Sequence, residues 1–529
     1  MIPTRNPITS LLSIAVLASV NCQAAESCSK QPSLNDQYSE GWGIDARNTR
    51  FQPRSTINQT NVAQLELDWV FALDDGGSPH SYPLVTEDTV FIGTDVGNVY
   101  ALEKSTGCQR WIYEAGSPIR SGIAPGTITV DGVTSHTLFF GTWDGTVRAV
   151  EALTGNEIWR ADITDHAYNV VTGTPVFYQG ELFVPVSSME VALAINPFYG
   201  CCTSSGALVA LNADTGEQRW RTNTIPDPPK VTGRHFFFVE EWGPSGAPVW
   251  SAPTIDPGRD LIYIGTGENY TRPASHTSDA IMALSRKDGA VRWVQQYTAL
   301  DAFNMSCGFA NHPNCPEDSG PDLDFGAPPI LARTREGQEI VLAGQKSGGV
   351  YGIDPDSGDR IWGVQFGRGG MLGGVHWGMA INERLGLLYA PISDVPTGST
   401  DKPAEPGLNA LDIGTGEVRW STPNSNRCAG RSPCQTGMSA AIIATDDLVF
   451  AGALDGHVHA YSATSGEILW SYDTWREFDS TNNLATQGGA IDVHGPIVAG
   501  DLLLIQSGYG TFGQRGGNAL LAFRLEASK

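Results

Sequence analysis

Five charged side chains and one indole stand out because most of them fall where an otherwise regular pattern is interrupted. Glu190 lies in S-S-M-E, Glu268 in G-T-G-E-N with Asn269 beside it, and Asp301 in T-A-L-D-A-F-N. Oxygen donors of these kinds suit a hard cation such as calcium. Trp250 offers a flat apolar face on which a planar molecule can lie. Arg120 and Lys346 offer positive charge to an anionic partner, in a chain where lysine is scarce. Each residue also has a plainer reading. Loop carboxylates commonly accept turn amides, a tryptophan is usually core, and an arginine can pair with any surface acid. Chemistry follows only if the fold gathers them.

The elements that would do so are visible as a repeat. One unit runs apolar strand, G-T-x-x-G turn, second apolar strand ending A-L or A-V, a T-G turn, then Trp four residues after that Gly. VFIGTDVGNVYALEKSTGCQRW ends at Trp111 and LFFGTWDGTVRAVEALTGNEIW at Trp159. The same spacing returns at Trp220, Trp293, Trp362, Trp420 and Trp470. Alternating apolar residues bounded by Gly, Asp and Thr turns indicate strands rather than helices. A multi-stranded repeat of this length fits a propeller blade. Each T-G turn reverses the chain, and the last strand brings its Trp back against the neighbouring blade. Near the C-terminus, DLLLIQSGYG and NALLAFRL look like inner strands with no final Trp. LELDWVFAL, with Trp69, looks like a final strand with no preceding turns. Pairing them gives an all-β, eight-bladed β-propeller with no long open sheet edge, spanning 26–529 as one domain.

Composition bounds the setting. Arg5, the apolar run Leu11 to Val20 and small residues at Ala24 and Ala25 form a signal peptide over 1–25, so a periplasmic protein is expected. No later segment reaches spanning length. A net charge of -24 argues against nucleic-acid binding and against anionic membranes. Without Cys22, eight cysteines remain for an oxidising compartment. Cys201 and Cys202 are adjacent, while Cys307 and Cys315, and Cys428 and Cys434, each share a loop. Cys28 and Cys108 are left over and could tie the N-terminal arm to the first blade. None opens a C-x-x-C-H, so no covalent c-type haem is expected.

The T-G-x-x-x-W unit resembles the repeat of pyrroloquinoline-quinone-dependent alcohol dehydrogenases over nearly all of the mature chain. GPSGAPVWSAPTIDPGRDLIYIGTGENY, PDLDFGAPPIL and AGQKSGGVYGIDPDSG look like the polyvinyl-alcohol dehydrogenase branch. The resemblance implies a quinone (PQQ) and calcium. It implies metal ligation by Glu190, by Glu268 or Asn269, and by Asp301, with Asp301 also the base that takes the alcohol proton. It places Arg120, Thr172, Ser187, Trp250, Lys346 and the pair His376–Trp377 around the cofactor, the quinone stacking on Trp250. A vicinal Cys201–Cys202 disulfide is expected to line the pocket. Phe303 stands where lanthanide-using relatives have Asp, which favours calcium, and His80 stands where the family has Glu. Insertions at 226–249, 302–321 and 424–435 are expected to wall the mouth. The resemblance favours a secondary, bulky or polymeric alcohol, with electrons leaving to a separate cytochrome c. A non-catalytic scaffold of the outer-membrane assembly type, or a quinoprotein acting on sugars or aldehydes, remains open at this point.

Overall fold

The computed structural model describes Cys28 and residues 38–74, 77–395 and 403–525. The expected signal segment lies outside the described residues. Eight antiparallel sheets follow one another around a ring, seven of four strands and one, in blade 3, of five. Blade 1 spans 84–114, blade 2 124–162, blade 3 176–223, blade 4 254–296, blade 5 330–365, blade 6 380–423 and blade 7 443–473. Blade 8 is composite: strands Ile497–Ala499, Leu502–Ser507 and Ala519–Leu525 are completed by Leu65–Ala72 from the other end of the chain. Leu65 pairs with Leu525 and Ala72 with Ala519, so the expected closing strand is the one found. Within a blade, burial falls from the inside outwards. Leu448–Gly452 is wholly buried, whereas the outer strand Gln109–Glu114 alternates between exposed and half-buried positions.

The fixed Gly-to-Trp spacing has a packing cause. The Trp of one blade lies on the T-G turn of the next. A Cβ on Gly107 would sit 2.6 Å from the Trp69 ring, one on Gly155 2.8 Å from Trp111, and one on Gly216 2.8 Å from Trp159. The indole N–H of the same Trp donates to a carbonyl of that next blade: Trp159 to Ala213 at 2.9 Å, Trp362 to Ile413 at 3.0 Å. These glycines also have positive φ, which other residues adopt at a cost. In blade 8 the two outer strands come from opposite ends of the chain, and Trp470 packs edge-on against Phe523 at 5.4 Å. Gly358, at φ +79° and 2.7 Å from Trp293, is a direct test. Gly358→Ala is expected to cost about 2–5 kcal/mol from left-handed strain plus overpacking. An unchanged thermal midpoint would show that the indole yields freely.

Strict alternation of direction sorts the connections between the two ends of the ring. The T-G turns lie at one end. The turns between the second and third strands, and the links from an outer strand to the next blade, lie at the other. All three expected insertions are at that second end, one of them as a hairpin of Lys230–His235 and Val239–Gly243. Disulfides join Cys201–Cys202, Cys307–Cys315 and Cys428–Cys434 there, and Cys28–Cys108 fastens the N-terminal arm to blade 1. Among the described residues no helix is long and apolar enough to cross a membrane.

Candidate active site

The charged centre is built from blades 4 and 5. Lys346 sits in the turn after strand Glu339–Gly344, and its Nζ donates to Asp322 Oδ1 at 2.7 Å and Asp324 Oδ2 at 2.9 Å. Asp322 and Asp324 lie two residues apart on the approach to blade 5, where Lys346 meets both. Trp250, on the approach to blade 4, donates its indole N–H to Asp324 Oδ2 at 3.1 Å, and the Lys346 ammonium lies 5.3 Å from its ring centre. The backbone N–H of Glu268 donates to Asp324 Oδ1 at 2.9 Å. Ligand oxygens of Glu268, Asp322 and Asp324 all lie within 4.8 Å of one another, and all three residues are buried.

One ammonium facing three carboxyls divides their protonation. Burial alone would raise Asp324, but Lys346 and hydrogen bonds from the Glu268 carboxyl and N–H outweigh it and hold Asp324 at about 2. Burial, with Asp324 beside it, pushes Glu268 well above the usual carboxylate range. Burial also raises Asp322, to about 7, against the pull of Lys346. Lys346 resists its own desolvation through Asp322, Asp324 and Glu268 and stays protonated.

The aromatic floor continues from Trp250. Trp377 meets it edge-on at 5.1 Å and His376 at 6.0 Å, and the Arg120 guanidinium lies 5.2 Å from the Trp377 ring centre. His376 Nδ1 bonds the Ser439 hydroxyl at 2.8 Å; burial, with Lys346, pushes its pKa far down, so it is neutral. The hydroxyls of Thr172 and Ser251 and Nε of Arg120 are buried with no partner among the described residues. Such orphaned groups are what a bound polar molecule would satisfy.

Other expected residues stand back from this centre. Asp301 accepts the backbone N–H groups of Asp322 (3.4 Å, Oδ1) and Leu323 (3.0 Å, Oδ2), so it braces the segment that carries the two acids. Burial raises its pKa. Asn269 uses its amide to bond the Ser245 carbonyl (3.0 Å) and the Ser275 N–H (2.6 Å), leaving Glu268 as the member of the pair that faces the acids. Glu190 forms a second cluster. It accepts from the Tyr199 hydroxyl at 2.5 Å, Thr203 N–H at 2.9 Å and Ser204 N–H at 2.6 Å, just after the Cys201–Cys202 disulfide. Tyr270, packed with that disulfide, links the clusters: it donates to the Ser188 carbonyl at 3.3 Å and lies beside Ser187. His80 pairs with Asp95 at 2.5 Å. Asp322 and Asp324 carry the centre without having been given a role from sequence, although P-D-L-D lies inside a segment noted for its resemblance. Their alternate spacing was the available signal.

A family model described as "Glucose/ethanol/alcohol dehydrogenase, beta-propeller domain" matches residues 40–313. A polyvinylalcohol dehydrogenase from a Pseudomonas species is 36% identical over 511 residues, covering 93% of this chain and 78% of that protein. The chain belongs to the PQQ-dependent dehydrogenase family. Within it, this quinoprotein is an oxidoreductase that oxidises alcohols. A second polyvinylalcohol dehydrogenase, from Sphingopyxis sp. (strain 113P3), is 35% identical, covering 95% of this chain and 79% of its own. Quinohemoprotein alcohol dehydrogenase ADHIIG from Pseudomonas putida HK5 shares the propeller at TM-score 0.69 and 19% identity, covering 93% of this chain and 81% of its own. Residues 346–524 also match a model described as "Outer membrane protein assembly factor BamB". In this quinoprotein that stretch supplies blades 6 and 7, three strands of blade 8 and the two outer strands of blade 5, together with Lys346 and the His376–Trp377 pair.

Proposed function

We propose that this protein is a periplasmic, calcium-dependent alcohol dehydrogenase whose substrate is a secondary alcohol carried on a bulky or polymeric molecule. Its electrons pass to a separate cytochrome c. The observation that carries the reading is the Lys346 ammonium, held between two acids and against the face of Trp250. The residues present fit both groups. An indole floor, two cations and three orphaned polar atoms suit a flat, carboxylated quinone. Buried carboxylates suit a hard cation. Bound there, the quinone supplies the two-electron acceptor and the calcium a Lewis acid.

Trp250, Trp377 and His376 make the floor, with Arg120, Thr172 and Ser187 at its edges and the Cys201–Cys202 disulfide on the Glu190 side. Of the expected ligands Glu268 is the one that faces the acid cluster; Asn269 is committed to backbone, and Glu190 is kept as a ligand on the family resemblance, its oxygens being held by Tyr199, Thr203 and Ser204. Asp301 and Asp322 are the two candidates for the base that takes the hydroxyl proton. Asp322 is favoured, since both Asp301 oxygens are engaged by amides. At the mouth, Phe236 lies tilted against Phe198 at 5.7 Å and Phe237 is 99% exposed, an apolar rim that suits a large substrate.

The test mixes purified protein with the quinone and calcium and follows dye reduction with primary, secondary and polymeric alcohols, sugars and aldehydes. Turnover greatest with secondary and polymeric alcohols, and abolished by a calcium chelator, is expected. Quinone retention with activity only on sugars or aldehydes would overturn the substrate assignment. No retention and no activity would overturn the reading entirely.

A further inference from the structure

We infer that the N-terminal arm, residues 38–56, is a positioning element that plugs the ring's axis and sets the indole floor of the active site from below. The inference rests on the quinone reading above.

Innermost strands of a propeller present one unpaired edge to the axis, and such edges need partners. Here the arm supplies them. Backbone N–H groups of Ile255 in blade 4, Leu331 in blade 5, Ile381 in blade 6 and Ala444 in blade 7 donate to the carbonyls of Ala46, Arg47, Thr49 and Arg50 at 2.8–3.1 Å. The Gln52 amide donates to the Val498 carbonyl of blade 8 at 3.1 Å, and Tyr38 N–H to Val85 of blade 1 at 3.0 Å. The arm thus enters from the end that carries the T-G turns, opposite the mouth.

Arg50 is its keystone. Its side chain is wholly buried and donates to four carbonyls: Ile442 at 2.6 Å, Trp42 at 3.1 Å, His494 at 2.9 Å and Pro496 at 3.2 Å. No carboxylate is among these acceptors. The planar fork suits this divergent set, and it also lies 4.6 Å from the Trp42 ring centre and 5.1 Å from Tyr82. From Trp42 the contact runs upward. Its indole N–H donates to His494 Nδ1 at 2.8 Å. An indole nitrogen can only donate, so Nδ1 is the acceptor and the ring proton sits on Nε2. That fixes the tautomer and orientation of His494, whose ring meets Trp377 at 6.1 Å, next to Trp250. Trp42 also reaches Gly378, where a Cβ would lie 2.6 Å from its ring. Trp42, His494, Trp377, Trp250 and Ser251 enclose one small cavity between plug and floor. The arm therefore reaches the floor through the Trp42–His494 bond and the His494–Trp377 contact, and shares that cavity with Trp250.

Two variants break the one bond from opposite sides while keeping a flat ring in place: Trp42→Phe and His494→Phe. Quinone affinity is measured by titration and by quinone absorbance retained through gel filtration, beside the thermal midpoint, kcat and KM. Each variant is expected to weaken quinone binding about three- to tenfold, the size of one lost buried hydrogen bond. The double variant should be no weaker than the worse single one, and KM for the alcohol should hold. Variants that melt earlier but bind the quinone as wild type does would reduce the arm to a stabilising strap and overturn the inference. So would fully additive losses. Wild-type protein that takes up no quinone would remove the cofactor reading, and the arm's role with it.

Discussion

Lys346→Met loses at least about a hundredfold in turnover and destabilises the protein most at neutral pH. The first effect follows from removing a preorganised cation at the charged centre, where such groups act in a site of low dielectric. The second follows from what is left behind. In the wild type, Asp324 is held at about 2, below its ordinary value. A depressed carboxyl contributes stability that is present above about pH 4 and is lost only as pH falls towards 2. Without the ammonium, burial and the neighbouring acids turn Asp324 to the raised side with Glu268 and Asp322. A raised carboxyl behaves oppositely: its folded form is favoured below about pH 4, and that advantage is lost as pH rises. The deficit should therefore reach about 3–5 kcal/mol at pH 7, the cost of stranding one side of a buried pair, and narrow near about pH 4.5 as the acids take up protons. Thermal unfolding of chelator-treated protein at the two pH values measures it. An equal deficit at both would mean that the centre is not buried as described.

How much of this was legible differs sharply between fold and site. Seven tryptophans at one spacing, together with LELDWVFAL, led to eight blades and the closing strand, because each Trp but Trp470 meets a Gly turn of the next blade. The requirement is local and repeated, so it writes itself into sequence. The site has no such repetition. Asp322 and Asp324 reach Lys346 only because blades 4 and 5 are adjacent and because Asp301 pins the backbone between them. The Asp301 carboxylate and the Asn269 side chain bond backbone groups, an arrangement that depends on where a loop folds back. Trp42 and His494 are 452 residues apart, and no spacing could announce their bond.

Asp322→Asn and Asp301→Asn separate the base from its brace. A base needs an ionisable oxygen free to meet the substrate hydroxyl. Asp322 has Oδ1 on Lys346 and stands within 4.8 Å of the Glu268 and Asp324 oxygens. Asp301 has both oxygens occupied by amide donors. The amide at 322 keeps size and an acceptor for Lys346 but cannot take a proton, so turnover should fall by about a thousandfold or more. Quinone retention and KM should change little. An amide at 301 still accepts one N–H but turns an NH₂ towards the other, so the 322–324 segment shifts. Displacement of catalytic groups on that scale costs about tenfold to a hundredfold, and quinone affinity should fall with it. The reverse ranking, with Asp322→Asn near normal and Asp301→Asn inactive but still holding quinone, would make Asp301 the base. The amides that occupy it would then have to be given up when substrate arrives.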